Sequence, residues 1–402
     1  MKRWVVLFTL CVISVLTLST LLAAQVQRGT VIIPESSIVR PEDAGVRAHT
    51  NIQLFYPNGV KPDSTTPLGE TPSSLGCVYQ VVANPEAGCP KNGTSNPTGG
   101  KGVVVIVDAF HYPTAAADIA TFASTFGMPT PKFKQVHTGS SVPAPNCGWE
   151  TEEALDIQWS YAMAPNAKIF LVEAQSNSFA HLLKAVDKAG RIIAAHGGRG
   201  EISMSWQGSE FPQELKFDSH FQQPNIVYFA SSGDSGGQVG YPSTSPYILS
   251  AGGTRVNRSN GNFTNETGWS GSGGGDSTLE ARPFYQDGIS NIVGKFRGTP
   301  DFSFDADPGS GVSVYDSNPS CGAPKWFIVG GTSVSSPSLA GLVNSADKFK
   351  KSSGAELNLI YVNNGNPADF TDITAGQAGG NKAGPGWDFV TGVGTNLGYK
   401  GK

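Results

Sequence analysis

Val103-Val-Val-Ile-Val-Asp108 is an unbroken apolar run that ends in a carboxylate. Such a run has no polar face, so both of its sides have to be covered by other parts of the chain. It is the first of several. Ile169–Val172, Ile202–Trp206, Ile226–Ser231, Ile248–Ala251 and Phe327–Val329 are further apolar stretches of strand length. Helical candidates stand between several of them, at Ala115–Phe126, Glu152–Ala162 and Phe179–Ala195, with Ser336–Lys348 after the last. Continuous apolar strands alternating with helices predict an α/β fold, a parallel sheet covered on both faces. In such sheets, sites form at the carboxyl ends of the strands. The residues just after each run are therefore where chemistry is expected.

The surrounding sequence bounds what that sheet can belong to. The chain has 402 residues, 39 % of them hydrophobic, enough to fill a real core and to exclude wholesale disorder. It carries 50 glycines and only 15 % charged residues, which predicts many tight turns and few surface ion pairs. Net charge is −4 and the basic residues do not cluster, so neither nucleic acid nor an anionic membrane is expected as a partner. Lys2 and Arg3 precede an apolar stretch from Trp4 to Leu22, followed by Ala23 and Ala24. That order predicts a secretory signal peptide over residues 1–24 and an exported protein, an uncleaved anchor being the alternative. Residues 25–70 are polar and weakly periodic, as in an extension or the remnant of a pro-segment, and residues 71–402 form the main domain. Cys11 would leave with the signal, whereas Cys77, Cys89, Cys147 and Cys321 remain. Four cysteines allow three connectivities; Cys77–Cys89, closing a short loop, and Cys147–Cys321, joining distant segments, are the pairs expected. Their spacing fits no zinc site. Sequons at Asn92, Asn257, Asn262 and Asn265 matter only in a glycosylating host. A monomer is expected by default.

The segment Phe327-Ile-Val-Gly-Gly-Thr-Ser-Val-Ser-Ser-Pro-Ser-Leu-Ala-Gly341 runs from an apolar strand through two glycines into a helix. Ser336-Pro337 reads there as a cap and first helical residue. Ser333 then faces the positive end of a helix dipole, and Gly330 and Gly331 let a substrate backbone approach closely. A capping serine at an ordinary strand–helix junction would look the same. Glu152 and Asp156 are spaced i, i+4, so both carboxylates emerge on one helix face and one pKa should rise. Such pairs usually belong to a solvated face, but Leu155, Ile157, Trp159 and Tyr161 make these surroundings apolar.

Gly331-Thr-Ser-Val-Ser-Ser-Pro337 resembles the nucleophile segment of subtilisin-like peptidases, which implies a subtilisin-like parallel sheet flanked by helices in a single catalytic domain. Subtilisins pair that serine with Asp and His. None of His49, His111, His137, His181, His196 and His220 begins a helix in a His-Gly-Thr setting. Gly148-Trp-Glu-Thr-Glu-Glu-Ala-Leu-Asp156 instead resembles the sedolisins, the serine-carboxyl peptidases in which a Glu and an Asp replace the His. The resemblance implies Ser333 as nucleophile, Glu152 as its general base, Asp156 as the residue orienting that base, and proteins or peptides as substrates. In Ile226-Val-Tyr-Phe-Ala-Ser-Ser-Gly-Asp-Ser-Gly236 it places Asp234 in the oxyanion hole, where a carboxyl has to be protonated to donate. A carboxylate base and a protonated Asp234 both imply acid-active chemistry. Ile202-Ser-Met-Ser-Trp206 is similar to the family's strand beside the substrate, with Ser203 and Trp206 as contacts and Trp206 near the catalytic Glu. Asp108 stands where some members carry an outer acid.

Asp372-Ile-Thr-Ala-Gly376 and Gly384-Pro-Gly-Trp-Asp388 resemble the sedolisin calcium loop. The implied ligands of one structural Ca2+ are the carboxylates of Asp372 and Asp388 and the carbonyls of Ile373, Gly384 and Gly386, all hard oxygens. The resemblance extends from about residue 70 to about residue 395. It departs at the front, where sedolisins carry a large pro-domain and only about fifty residues separate the signal from the catalytic region here. A catalytically silent secreted binding protein on a peptidase scaffold is the rival reading. Gly233-Asp-Ser-Gly-Gly237 and Ala194-Ala-His196 mimic the Ser and His segments of chymotrypsin-like peptidases. That fold needs two antiparallel barrels, with most of both between His and Ser, and fewer than forty residues lie between these two.

Overall fold

The computed structural model describes residues 29–58, 64–322 and 325–402. The proposed signal peptide and Cys11 lie outside the described residues. The expected parallel sheet is present, with seven strands hydrogen-bonded in the order Phe302–Asp305, Leu249–Ser259, Ile226–Ser231, Gly200–Met204, Val103–Ala109, Lys168–Ala174 and Lys132–His137. Every neighbouring pair in that series is parallel. Short strands at Thr395–Asn396 and Phe370–Thr371 extend it beyond Phe302–Asp305.

The central strand explains the arrangement. Val103, Val105 and Val107 point into a cluster with Leu182, Val186 and Ile193, on the helix Phe179–Ala195. Val104 and Ile106 point the opposite way, into a cluster with Ile119, Leu155 and Leu339, on the helices Ala115–Thr125, Cys147–Met163 and Thr332–Ser345. Alternation along one strand thus glues two helical layers to one sheet. The helix Phe179–Ala195 starts where Ser178 accepts a hydrogen bond from the His181 amide, and it stops before the positive-φ glycines Gly197 and Gly198.

Four features depart from the sequence-based expectation. Lys325–Gly330, which contains the run Phe327–Val329, is not in the parallel sheet. It lies in a separate sheet, antiparallel to Val312–Asp316 and to Gln53–Pro57. Gly261–Ser277, whose glycines and serines read as a loop, begins with a strand, Asn262–Gly268, antiparallel to the end of Leu249–Ser259. Asn260 and Gly261 both have positive φ and form the hairpin turn. The helix expected from Ser336 begins at Thr332 and carries Pro337 inside it. Finally, the stretch after residue 28 is packed onto the domain, with Ile52 and Phe55 buried. Both expected disulfides, Cys77–Cys89 and Cys147–Cys321, are formed.

Candidate active site

Strand Lys325–Gly330 delivers the chain to Gly331, whose φ of +106° is left-handed backbone suited to glycine. The turn drops Thr332 and Ser333 onto the start of a helix that is buried from Thr332 to Asn344. Pro337 has no N–H to give the Ser333 carbonyl one turn back. That carbonyl is instead approached by the Ser205 hydroxyl at 3.4 Å, which is how the helix tolerates an internal proline. The Ser333 hydroxyl donates to the Ser205 carbonyl at 3.3 Å, and the Ser333 amide donates to the Asn51 carbonyl at 3.2 Å.

The second helix of the site, Cys147–Met163, begins at Asn146, whose side chain accepts from the amides of Gly148 and Trp149. It packs tightly on the helix that carries Ser333, and a β-carbon at Gly341 would lie 2.5 Å from the Ser160 carbonyl. This contact brings Glu152 and Asp156 to Ser333, all three fully buried. Ser205 links them by donating to Asp156 at 2.9 Å. Burial raises the Glu152 pKa well above the carboxylate range, and the charges of Asp156 and Asp108 raise it further. The nearby Ser333 hydroxyl opposes that rise. Asp156 is also raised, first by burial and then by Asp108, while Ser205 and Glu152 act in the other direction. The two carboxyls share their protons as a unit, the expected behaviour of a close buried pair.

Asp234 follows strand Ile226–Ser231 at its carboxyl end. Its Oδ1 accepts from the Thr332 amide at 2.8 Å and the Thr332 hydroxyl at 2.9 Å, and the Gly233 amide donates to that same hydroxyl at 3.0 Å. Burial pushes the Asp234 pKa up to about 7, against the lowering effect of Thr332. With Oδ1 committed to accepting, the acid proton belongs on Oδ2. Oδ2 lies 2.5 Å from the point a Gly331 β-carbon would occupy, and the Asn51 carbonyl oxygen lies 2.1 Å from that same point. Gly331 thus leaves room for a carbonyl facing Asp234, as expected for close backbone approach. Gly330 serves differently, because a side chain there would strike the backbone of Pro308.

The remaining expected residues fall in various places. Ser203 bonds Ser336 at 2.8 Å in the buried floor, whereas Ser205, two residues on, is the serine that reaches Asp156. The Trp206 indole donates to the Val107 carbonyl at 2.8 Å and its ring packs against Phe179, so it bonds neither Glu152 nor Asp156; its backbone pairs with Thr50. Asp108 ends its strand fully buried with both carboxyl oxygens unbonded among the described residues, raised by burial and by Glu173. Glu153, which the sequence reading passed over, is likewise buried, unbonded and raised, and lies close enough to feel Glu173 and Asp108. Glu173 in turn is held by His111 at 3.0 Å and by the Tyr112 amide at 3.0 Å. The chymotrypsin-like mimic dissolves in the fold. His196 caps a helix beside Gly102, Lys132 and Lys168, where strands begin, and Asp234–Ser235 lie where a strand ends.

Asp372 and Asp388 converge on one turn. Asp372 accepts from the Gly386 amide at 2.9 Å, and Asp388 accepts from the amides of Gly384, Val390 and Thr391. The carbonyls of Ile373, Gly384 and Gly386 accept no hydrogen bond among the described residues. Two carboxylates and three free carbonyls on one loop fit a hard cation such as calcium. Nearby, Gly379 packs against Gly236 and Gly237, just beyond Ser235, so this strap braces the loop that carries Asp234.

A doubly covered seven-stranded parallel sheet, with a serine on a buried helix and two carboxyls on the next, defines a subtilisin-like fold with a serine-carboxyl site. Solved structures agree on the fold. Pseudomonas sedolisin, a serine-carboxyl proteinase complexed with pseudo-iodotyrostatin, superposes with a TM-score of 0.67 at 24 % identity, covering 83 % of this chain and 96 % of that one. Sphericase matches with a TM-score of 0.56 at 18 % identity, over 82 % of this chain and 98 % of that one. Among curated proteins, kumamolisin of Bacillus sp. (strain MN-32) is 29 % identical over 327 residues, 70 % of this chain and 56 % of its own length. Sedolisin of Pseudomonas sp. (strain 101) is 25 % identical over 396 residues, 87 % of this chain and 63 % of its own length. The chain thus spans less than two thirds of the length of these curated relatives. No family model matches. In sequence and in fold the chain is similar to the sedolisins.

Proposed function

We propose that the protein is a secreted serine-carboxyl endopeptidase that hydrolyses peptide bonds of protein or peptide substrates in acid. The observation that carries this is the meeting of Ser333, the Glu152–Asp156 pair and a raised Asp234 around one carbonyl-sized space. Ser333 Oγ attacks a peptide carbonyl while Glu152 takes its proton, in the form of the pair that leaves Glu152 ionised and the shared proton on Asp156. The Ser333 amide and the protonated Asp234 receive the oxyanion. Glu152 then returns the proton to the leaving amine, and water, deprotonated by Glu152 in its turn, opens the acyl ester. Acid favours this order because Asp234 donates only below its value of about 7. No histidine carries a proton in it.

Export rests on the sequence of residues 1–24, and no helix of the described residues is long and apolar enough to cross a membrane. Calcium at the Asp372–Asp388 loop would hold the strap that braces Asp234 and would take no part in the chemistry. The silent-binder alternative loses ground because none of the four chemical positions is lost. The test is digestion of a denatured protein from about pH 2.5 to about pH 8, wild type against Ser333→Ala. Acid-peaked digestion absent from the variant supports the proposal; digestion that persists in Ser333→Ala overturns it.

A further inference from the structure

The Glu152–Asp156 pair does not lie alone. Asp108 and Glu173 stand opposite one another at the carboxyl ends of adjacent strands. They continue the alternation that buries Val104, Ile106, Ile169 and Leu171, so both face the helix Cys147–Met163, which carries Glu153 beside Glu152. Asp108, Glu152, Glu153, Asp156 and Glu173 are all fully buried. Their partners differ. Asp108 and Glu153 have neither oxygen bonded among the described residues. Glu173 meets three donors: the His111 imidazole, whose Nδ1 lies 3.0 Å from each oxygen, the Tyr112 amide at 3.0 Å and the Gln135 side-chain amide at 2.6 Å. Among the described residues His111 is the only cation ion-paired with any of the five, and with 23 % of its side chain exposed it meets solvent. Three further ionisable groups lie around Glu173. His137 is opposite it on Lys132–His137, Glu150 is one turn before Glu153 and bonded to Asp316, and Asp118 on Ala115–Thr125 accepts from the Tyr112 hydroxyl.

Five carboxyls in one dry place cannot all be charged, and the donors decide which one is. Three donors on Glu173 favour its anion, and in acid the His111 imidazole adds a compensating positive charge. Asp108 and Glu153, without donors and beside that anion, keep their protons. Asp108 in turn acts on both Asp156 and Glu152. We propose that His111 and Glu173 are positioning residues of this peptidase, a compensated charge at the back of the acid cluster that sets how far into acid the Glu152–Asp156 pair still works as a base. The proposal rests on the peptidase reading and deepens it, as control of the same site. Neither residue bonds Ser333, Glu152 or Asp156 among the described residues, so the influence is electrostatic and neither moves a proton in the reaction. Their effects have opposite signs. The Glu173 anion disfavours a second negative charge on the pair, and the His111 imidazolium offsets it. Removing the cation therefore moves the acid limb of activity to higher pH, and removing the anion moves it to lower pH. A residue that only supports the fold gives no such opposition.

The experiment compares full-length wild type, His111→Gln, Glu173→Gln and the double variant, with folding of each checked by circular dichroism. Glutamine keeps a hydrogen-bonding side chain at either place and removes the charge. kcat/KM on a short chromogenic peptide is measured from about pH 2.5 to about pH 8, because its limbs report groups of the free enzyme. The expected result is an acid limb raised by roughly 0.5 unit or more in His111→Gln and lowered by a similar amount in Glu173→Gln. The double variant should return near the wild-type position. At a fixed pH on that limb the two single variants then differ about 10-fold. If Glu173→Gln does not fold, His111→Gln alone decides: a raised limb supports the proposal and an unmoved one overturns it. Limbs that stay in place, or that move the same way in both single variants, overturn the inference and leave the peptidase reading standing. Wild type without activity at any pH overturns both.

Discussion

Replacing Asp234 by asparagine separates its two jobs. Oδ1 of the native side chain accepts from the Thr332 amide and hydroxyl, at 2.8 and 2.9 Å, and an asparagine Oδ1 can do the same. The other atom becomes an N–H donor that no pH change removes. In the wild type that atom donates only while protonated, and burial puts the transition at about 7. The expected outcome is that Asp234→Asn keeps acid activity and carries its alkaline limb above the wild-type one. Asp234→Ala removes the donor altogether, which costs about 10²–10³ in kcat, or about 2.7–4 kcal/mol of transition-state stabilisation. It also strips the Thr332 groups of their acceptor, at about 1–3 kcal/mol of stability, so thermal unfolding should be run beside the kinetics. The assay is kcat against pH on a short chromogenic peptide. An unchanged alkaline limb in Asp234→Asn, or full kcat in well-folded Asp234→Ala, would refute the oxyanion role.

Further outcomes follow from the same geometry. Gly331→Ala should abolish turnover, because its β-carbon would meet the Asp234 carboxyl at 2.5 Å and any carbonyl held where Asn51 is held; normal kcat would show that no substrate carbonyl lies there. Stability should fall as pH rises. Asp108, Glu152, Glu153, Asp156 and Asp234 all have folded values above their unfolded ones, so the native state binds more protons between those values and unfolding gains on it as pH climbs. In Ser333→Ala, which cannot digest itself, Tm should drop from about pH 5 to about pH 8, and a flat or rising Tm would contradict the buried acid cluster. Calcium chelation should lower Tm through the Asp372–Asp388 loop, with Asp388→Asn abolishing the calcium response; equal Tm with and without the ion would exclude that site.

Much of this was readable before the fold was known, for physical reasons that differ by segment. Val103–Ala109 has no polar face, so its burial on both sides follows from composition alone. Phe179–Ala195 was bounded at both ends, because a serine cap precedes it and two glycines follow it. Ser333, Glu152, Asp156 and Asp234 were named by the resemblance of three separate motifs to a known family, and the fold brings these side chains close to one another. Phe327–Val329 shows the limit, since an apolar run does not say which strands it will pair with. Its partners, Val312–Asp316 and Gln53–Pro57, are brought to it by the tertiary fold. Pro337 misled because its freed carbonyl partner finds Ser205, 128 residues away in sequence. Asn260-Gly261 is a hairpin cue legible in the sequence, since both residues take up positive φ readily. Ser205 had only its place in the Ile202–Trp206 run to mark it. Asn51 had nothing, since its contact with the Ser333 amide depends on a polar, weakly periodic stretch being drawn past the site.

The central claim is that a carboxylate pair, and no histidine, activates Ser333. It is tested most directly by the rate of peptide hydrolysis across acid and neutral pH for wild type, Glu152→Gln and Glu152→Ala, with folding of each checked by circular dichroism. A wild-type optimum in acid, with both variants slowed by about 10²–10⁴ at that optimum, is the predicted result. An optimum at neutral pH, with turnover surviving in Glu152→Ala, would contradict the account and return the search to a histidine.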